Sequence, residues 1–265
     1  MSDESVDVDF FRRLCDELSR LGGMVASSGR AGMREHDHAS KSSVTDLVTV
    51  CDENTERALR QRLAEVRPDD GVVGEEGGTS AGTSGYEWII DPIDGTTNFV
   101  FGLPCWGCSV AVAINGEVIA GAIYLPDLDE LFSAGRRCGA TRNGEAIIMP
   151  DHAALATSLI ATGFSYQSEI RAIQGARVAH LLPQVRDIRR SGSAAYDLCA
   201  VASGRVTAYY EDGISRWDIA AGALIALEAG ATISTMPGAV HGPESIVAAA
   251  PGVFDALCSC IAREV

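Results

Sequence analysis

One segment constrains the fold more than any other: residues 68–135 contain eleven acidic residues and neither lysine nor arginine. The same segment contains several apolar runs of strand length, so it must fold around many carboxylates. Carboxylates that converge without a cation repel one another by several kcal/mol. We expect some of these acids to lie on a solvated face and the others to share a bound cation. Those expected on the solvated face are Asp69, Asp70, Glu117, Asp127, Asp129 and Glu130.

Four other acids of this segment stand at the ends of predicted strands. Glu75 and Glu76 follow one short apolar run and precede a glycine-rich loop at 77–85. Asp91 ends the next run, and Gly95 permits a tight turn that folds Asp94 back toward it. The donors are all oxygen atoms, with no histidine or cysteine nearby. The set therefore favours Mg²⁺ over Mn²⁺ or Ca²⁺.

Two charged residues outside the segment are further candidates. Asp218 stands at the head of a helical pattern rich in alanine and leucine, where it is either an ordinary N-cap or a further metal ligand. Lys41 is the only lysine, against twenty arginines. Either this lysine is present by chance and has no role, or it is a flexible point charge that reaches a metal and phosphate cluster through water.

The periodicity of the chain predicts an α+β fold. Before residue 150 we expect a helix over 9–26, a polar loop or hairpin, a helix from Asp52 to about Val66, and then strands joined by two Asn-Gly turns in an antiparallel meander. After residue 151 strands and helices alternate, with helices over 168–183, after Ser191-Gly192-Ser193, over 218–229 and at the C-terminus. No linker-like composition separates the halves 1–150 and 151–265, so we expect one domain over 1–265.

Composition narrows the class of protein. The net charge is −15, which disfavours nonspecific binding to nucleic acid. No apolar run approaches the roughly 20 residues of a membrane helix, and the acidic start is unlike a secretory signal. We expect a cytoplasmic protein whose eight cysteines are mostly free thiols. We assign no role to its five histidines.

Four motifs together resemble those of the inositol monophosphatase family, which comprises Mg²⁺-dependent, lithium-sensitive phosphatases. They are Gly-Glu-Glu at 74–76, Asp-Pro-Ile-Asp-Gly-Thr-Thr-Asn-Phe at 91–99, Trp-Asp-Ile-Ala at 217–220 and Glu-Ala-Gly at 228–230. The nine-residue motif is highly specific, and the likeness extends from Lys41 to Gly230. The resemblance implies a layered αβαβα sandwich and a homodimer.

The resemblance also implies a role for each matching residue. Metal ions, about two or three Mg²⁺ with Mn²⁺ as a possible substitute, would be held by Glu75, Glu76, Asp91, the Ile93 carbonyl, Asp94 and Asp218. The attacking water would be activated by Thr96 with Asp52 or Glu75, and Lys41 would lie close to them. Substrate would be contacted by Glu75, Ile93, Asp94, Gly95, Thr96, Gly192, Ser193, Ala194, Glu211 and Asp218.

The leading hypothesis is a phosphomonoesterase that releases myo-inositol from inositol 1-phosphate by in-line attack of an activated water. Thr97-Asn98-Phe99 and Glu211 favour inositol over histidinol phosphate, fructose 1,6-bisphosphate or phosphoadenosine phosphate, which relatives cleave. Ser215 and Arg216 stand in a stretch that touches substrate and leave the pocket preference open. A hypothesis of another class is a partner of a transcription or RNA complex, which we expect only as an additional role.

Overall fold

Two β-sheets alternate with three layers of helices. The computed structural model of the chain describes residues 6–31, 38–40, 47–236 and 244–262, so Lys41 lies outside the described residues. The helices are α1 (Val8–Arg30), α2 (Val50–Val66), α3 (Thr96–Phe101), α4 (Ser168–Leu181), α5 (Ala194–Ala202), α6 (Arg216–Glu228) and α7 (Pro251–Ile261). The first ten strands are β1 (His38–Ser40), β2 (Leu47–Thr49), β3 (Gly71–Gly74), β4 (Gly78–Ser80), β5 (Tyr86–Asp94), β6 (Gly107–Ile114), β7 (Glu117–Leu125), β8 (Glu130–Gly135), β9 (Ala140–Arg142) and β10 (Glu145–Ile147). The others are β11 (Leu159–Thr162), β12 (Asp187–Arg189), β13 (Ala208–Ile214), β14 (Thr232–Ser234) and β15 (Glu244–Ala249).

The larger sheet has eight strands in the order β10-β9-β8-β7-β6-β5-β3-β4. Strands β5 to β10 form the predicted antiparallel meander. Its two Asn-Gly turns, at 115–116 and 143–144, have positive φ at both residues, as a tight hairpin requires. Within the described part of this larger sheet, β3 and β5 are the one pair that runs in parallel, which places the ends of both strands at the same edge of the sheet.

The layers follow from the contacts of the helices. Helices α1 and α2 pack on one face of the larger sheet, while α6 packs on the other face and against α5. The smaller sheet, β12-β11-β13-β15-β14, lies beyond α5 and α6, and α7 packs on it and against α4. This order is the predicted αβαβα sandwich. Strands β1 and β2 pair antiparallel in a separate two-stranded sheet, of which β1 falls within the predicted loop-or-hairpin segment and β2 follows it.

Helix boundaries differ from the prediction in three places. Helix α1 runs to Arg30 because its apolar stripe continues through the buried Ala26. Helix α2 begins at Val50, so Asp52 lies in its first turn and is not its N-cap. Ser215 is the N-cap of α6, and Asp218 stands three residues later as its partner in a capping box. Of the two alternatives that the sequence left open for Asp218, the ordinary N-cap is therefore excluded.

Helix α3 was not predicted at all. Its sequence, Thr-Thr-Asn-Phe-Val-Phe, has the β-branched and aromatic composition of a strand. It forms because Gly95 and Gly102 adopt left-handed conformations at its two ends, with φ of 88° and 74°. All eight cysteines are free, as predicted.

One acid expected on the solvated face is buried. Asp70 accepts hydrogen bonds from the Trp88 indole at 2.9 Å and from the Ser84 hydroxyl at 2.6 Å. The Arg67 guanidinium adds two more, at 2.7 and 3.0 Å. Burial alone raises the pKa of Asp70, but these three partners lower it below its ordinary value. Asp70 is thus a structural link between the end of α2 and β5.

Candidate active site

Three carboxylates from two separated parts of the chain meet at one point. Asp91 and Asp94 lie at the end of β5, where a bulge in its pairing with β6 turns both toward the same side. Asp218 enters from the first turn of α6. One oxygen from each of the three lies within 4.8 Å of the others. Among the described residues, this is the one group whose donor types and spacing suit a metal ion.

The electrostatics of this group favour a bound cation. Burial raises the pKa of Asp91 well above its ordinary value, and the nearby Glu75, Asp94 and Asp218 raise it further. Burial also raises the pKa of Asp94 to about 6 and that of Asp218 above its usual range. Because all the donors are oxygen atoms of buried carboxylates, a hard divalent cation fits the site and relieves their repulsion.

Glu75 and Glu76 lie in the turn after β3, at the same edge of the sheet. Glu75 lines the cavity above the carboxylates, whereas Glu76 does not line it. The turn is anchored by the buried Glu56 of α2, which accepts hydrogen bonds from the backbone N–H groups of Glu76 at 2.7 Å and Gly77 at 2.8 Å. Arg60 also donates to Glu56 at 2.7 Å. Neither Glu75 nor Glu76 belongs to the tight group of three carboxylates.

Thr96 stands beside this group, at the first residue of α3. Its hydroxyl lies 3.2 Å from Asp52 Oδ1 and 3.1 Å from the carbonyl oxygen of Ile93, and it can donate to either. Asp52 is buried and reaches the site from the first turn of α2. The predicted pairing of Thr96 with Asp52 is therefore present in the structure.

The loop that precedes α5 closes another side of the site. Ser193 is the N-cap of α5, and its hydroxyl donates to Asp94 Oδ2 while it accepts from the backbone N–H of Tyr196. The backbone N–H of Ala195 also donates to Asp94 Oδ2, at 2.7 Å. Both bonds go to one oxygen of Asp94, and they lower its pKa against the effect of burial.

A side-chain amide locks this loop to α3. The Asn98 side chain donates to the carbonyl oxygens of Ser191 at 2.8 Å and Cys105 at 2.5 Å. Gly95 packs so closely that a Cβ atom there would lie 3.0 Å from the Cys105 carbonyl oxygen and 3.1 Å from Ser193 Cβ. Gly95 and Thr96 line the cavity together with the loop residues 192–194.

The carboxylates open into a cavity of about 490 Å³. Its wall away from the carboxylates is built by residues 162–167, by Arg190 and by Glu211 of β13. Burial raises the pKa of Glu211 to about 7, and a hydrogen bond from Tyr209 opposes that rise. The predicted residues that line the cavity are Glu75, Asp91, Ile93, Asp94, Gly95, Thr96, Gly192, Ser193, Ala194, Glu211 and Asp218.

Sequence reasoning missed four residues that support or line the site. Glu56 has the spacing of an ordinary surface pair with Arg60, and Tyr209 has the pattern of a core residue. Arg190 lines the cavity although it follows an exposed strand. Asp197, in α5, also lines it, and burial raises the pKa of this acid to about 8. Only Asp197 gave a usable signal, because an acid is unexpected in an alanine-rich helix.

Comparison with known proteins agrees with this architecture. The sequence profile of the inositol monophosphatase family matches residues 13–265. Inositol-1-monophosphatase SuhB of Mycobacterium tuberculosis is 44% identical over 249 residues, which cover 90% of this chain and 86% of that protein. Nus factor SuhB of Pasteurella multocida is 38% identical over 239 residues, with 89% of each chain covered. The solved structure of Mycobacterium tuberculosis SuhB superposes with a TM-score of 0.84 at 38% identity and covers 97% of each chain.

The layered fold and a cavity lined by carboxylates that could hold a metal ion therefore define a class of α+β hydrolase. The chain belongs to the inositol monophosphatase family. It is a phosphatase that hydrolyses phosphoric monoesters. No helix in the described ranges is long and apolar enough to cross a membrane.

Proposed function

We propose that this phosphatase hydrolyses inositol 1-phosphate to myo-inositol and phosphate with Mg²⁺ as cofactor. The observation that carries the proposal is the convergence of Asp91, Asp94 and Asp218 in the lining of a cavity that Glu211 also lines. The first feature suits a cation and the phosphate it attracts. The second suits a leaving group that carries hydroxyls, since a carboxylate accepts hydrogen bonds from them.

The metal would be held by oxygen atoms alone. Asp91, Asp94 and Asp218 would supply the central carboxylates, Glu75 and the Ile93 carbonyl would complete a second position, and Glu76 would take part in a weaker third one. When bound, Mg²⁺ neutralises the phosphate oxygens and lowers the pKa of a bound water. The bound cation would reverse the local charge, so that an anionic substrate could enter a protein of charge −15.

The chain's own residues orient the attack. Thr96 takes a proton from the attacking water while its own hydroxyl proton passes to Asp52, whose Oδ1 lies 3.2 Å away, so the threonine remains neutral and the water attacks as hydroxide. Glu75 is the alternative acceptor for this proton, and Lys41 would contribute through water. The backbone N–H groups of Gly95 and Thr96 would grip the phosphate at the left-handed turn, as anion-binding turns do.

The remaining contacts would select the leaving group. Gly192, Ser193 and Ala194 would line the side of the ester oxygen, and Glu211 would accept hydrogen bonds from the inositol hydroxyls. Histidinol phosphate and other sugar phosphates are the alternative substrates within the superfamily. The 490 Å³ cavity has room for a six-membered polyol ring, and the acidic Glu211 favours hydroxyl groups.

Phosphate release from inositol 1-phosphate, with Mg²⁺, with Mn²⁺ and with EDTA, tests the proposal. We expect activity with Mg²⁺, weaker activity with Mn²⁺ and none with EDTA, and inhibition by Li⁺. A panel with histidinol phosphate and fructose 1,6-bisphosphate tests the substrate, and a tenfold higher kcat/KM for either would overturn the assignment to inositol.

Two variants separate metal binding from water activation. Asp91→Asn should lower kcat by at least about 10³-fold, because it removes a central ligand. Thr96→Ala should still bind Mg²⁺ in calorimetry while turnover is lost. Loss of Mg²⁺ binding in Thr96→Ala would contradict this division of roles.

The name of the Pasteurella multocida relative suggests a second function, as a partner in a transcription complex. A pull-down in which Asp91→Asn keeps its partners after losing turnover would support that role. We also propose that residues 1–265 act as one domain, that the protein is cytoplasmic and that it forms a homodimer. Light scattering of the purified protein tests the last point, since a monomer at micromolar concentration would contradict it.

A further inference from the structure

We infer that Tyr209 is a positioning residue, whose hydroxyl fixes the Glu211 carboxylate so that its other oxygen accepts a hydrogen bond from a hydroxyl of the leaving group. The inference rests on the proposed function and adds a residue to it. Tyr209 and Glu211 stand two positions apart on β13, so both side chains leave the same face of the strand. The Tyr209 hydroxyl donates to Glu211 Oε2 at 2.5 Å.

The surroundings of Tyr209 keep its hydroxyl a hydrogen-bond donor to Glu211. Its ring is completely buried, and burial together with the nearby Glu211 raises the pKa of its hydroxyl well above the ordinary value. The hydroxyl therefore stays protonated and acts as a donor. No other hydrogen bond to the Glu211 carboxylate is made by the described residues, so Oε1 has no protein donor there.

A glycine fixes the carboxylate from the opposite side. A Cβ atom at Gly163 would overlap with both oxygens and the carboxyl carbon of Glu211. The carboxylate thus lies directly against the bare backbone that follows β11. With the Tyr209 hydroxyl on one side and Gly163 on the other, the Glu211 carboxylate has little freedom to rotate. It is therefore already ordered before the substrate binds, and binding loses little further side-chain entropy there.

The charges around Glu211 explain why such a donor is needed. Burial and the acids Asp94 and Asp212 raise its pKa, whereas Tyr209 and Arg190 lower it. Without the Tyr209 hydroxyl, the carboxyl group would be free to rotate and would carry a proton more often at neutral pH. A protonated and mobile Glu211 would accept hydroxyl groups poorly.

Tyr209→Phe removes only the hydroxyl and leaves the ring in the core. We expect KM for inositol 1-phosphate to rise about tenfold with kcat within about threefold of the unaltered enzyme, which corresponds to loss of one charge-assisted hydrogen bond. KM for p-nitrophenyl phosphate, whose leaving group has no ring hydroxyls to bind Glu211, should change less than about twofold. A merely structural role would alter both substrates alike.

Tyr210→Phe is the matched control. Tyr210 is the next residue of β13, and its hydroxyl is also buried, but it points to the other face of the sheet and makes no hydrogen bond to Glu211. This variant should leave both KM values unchanged. Gly163→Ala is a second test, should Tyr209→Phe fold poorly, because it displaces the carboxylate without touching the core and should raise the same KM.

Glu211→Gln separates failure of the inference from failure of the proposed function. The KM values of the variants are compared for the hydroxylated phosphate ester that the unaltered enzyme cleaves best. If that ester is not inositol 1-phosphate, the proposed function is overturned but the inference about Tyr209 is not. The inference is supported if Glu211→Gln and Tyr209→Phe raise the same KM and the double variant is no worse than Glu211→Gln. It is overturned if only Glu211→Gln raises that KM, or if neither does.

Discussion

Glu56→Gln tests how far the turn with Glu75 depends on a residue outside the cavity. The Glu56 side chain is 3% exposed and accepts from two backbone N–H groups and from Arg60. Glutamine keeps the shape but turns one acceptor oxygen into a donor, so at least one N–H group loses its partner. One lost hydrogen bond to a charged group, together with the unpaired donor, costs about 3 kcal/mol. At about 2–4 °C per kcal/mol for a chain of this size, Tm should fall by about 6–12 °C.

The functional consequence is specific to the metal. Groups that hold metal ligands in place change metal affinity by about 10–100-fold when altered. The Mg²⁺ concentration for half-maximal phosphate release should therefore rise at least about tenfold. Glu53→Gln, an exposed change in the first turn of the same helix, is the control and should alter neither quantity. If Glu56→Gln lowers Tm but leaves the Mg²⁺ requirement unchanged, Glu56 supports the fold and not the site, and the reasoning fails.

Three other changes test the electrostatics and packing around the site. Burial raises the pKa of Asp197 to about 8, so the folded protein binds this proton more tightly than the unfolded chain does. The free energy of unfolding therefore falls as the pH rises from about 4 to 8, by up to about 1.4 kcal/mol per pH unit. Asp197→Asn should therefore raise Tm at pH 8 and leave it unchanged near pH 4; an equal shift at both would contradict this. Arg177→Met removes the arginine that pairs with the buried Asp212 at 3.4 Å, and the free energy of unfolding in urea should fall by about 3–5 kcal/mol. The double variant Arg177→Met/Asp212→Leu should regain most of that free energy. Gly95→Ala places a side chain on a left-handed residue and against the Cys105 carbonyl oxygen, so the free energy of unfolding should fall by about 1–3 kcal/mol. KM should rise for every phosphate ester, and a rise for one ester alone would contradict this.

The parts of the site that sequence predicts are those fixed by local chemistry. Asp91 and Asp94 follow an apolar strand and enclose a Pro-Ile pair before a glycine, and these residues specify the turn without help from the rest of the fold. The Asn-Gly turns of the meander are equally local. The sequence alone left Asp218 as either an N-cap or a metal ligand, because only the packing of α6 on the larger sheet brings it to β5.

The parts that sequence misses depend on partners far along the chain. Glu56 and Arg60 have the spacing of a solvated helical pair, and nothing local shows that the Glu56 carboxylate is buried under the turn after β3. Asp70 was placed on a solvated face because acids usually lie there, yet Trp88 and Ser84 both donate to it. Helix α3 contradicts its own residue preferences, since the glycines at its ends decide its conformation.

Five of the eleven acids of the segment that first constrained the fold pair with arginines, and all five lie away from the three carboxylates of the site. Arginines from outside the segment pair with its acids: Arg67 with Asp70, Arg136 with Glu117, Arg30 with Asp127, Arg205 with Glu130 and Arg216 with Glu87. Among the described residues no such ion pair reaches Asp91, Asp94 or Asp218, although these are the acids whose pKa burial raises. An arginine there would occupy the position that a divalent cation needs, and its charge could not leave. The absence of basic residues between positions 68 and 135 therefore keeps the site open for an exchangeable cation, while arginines from outside the segment supply fixed cations to five of its other acids.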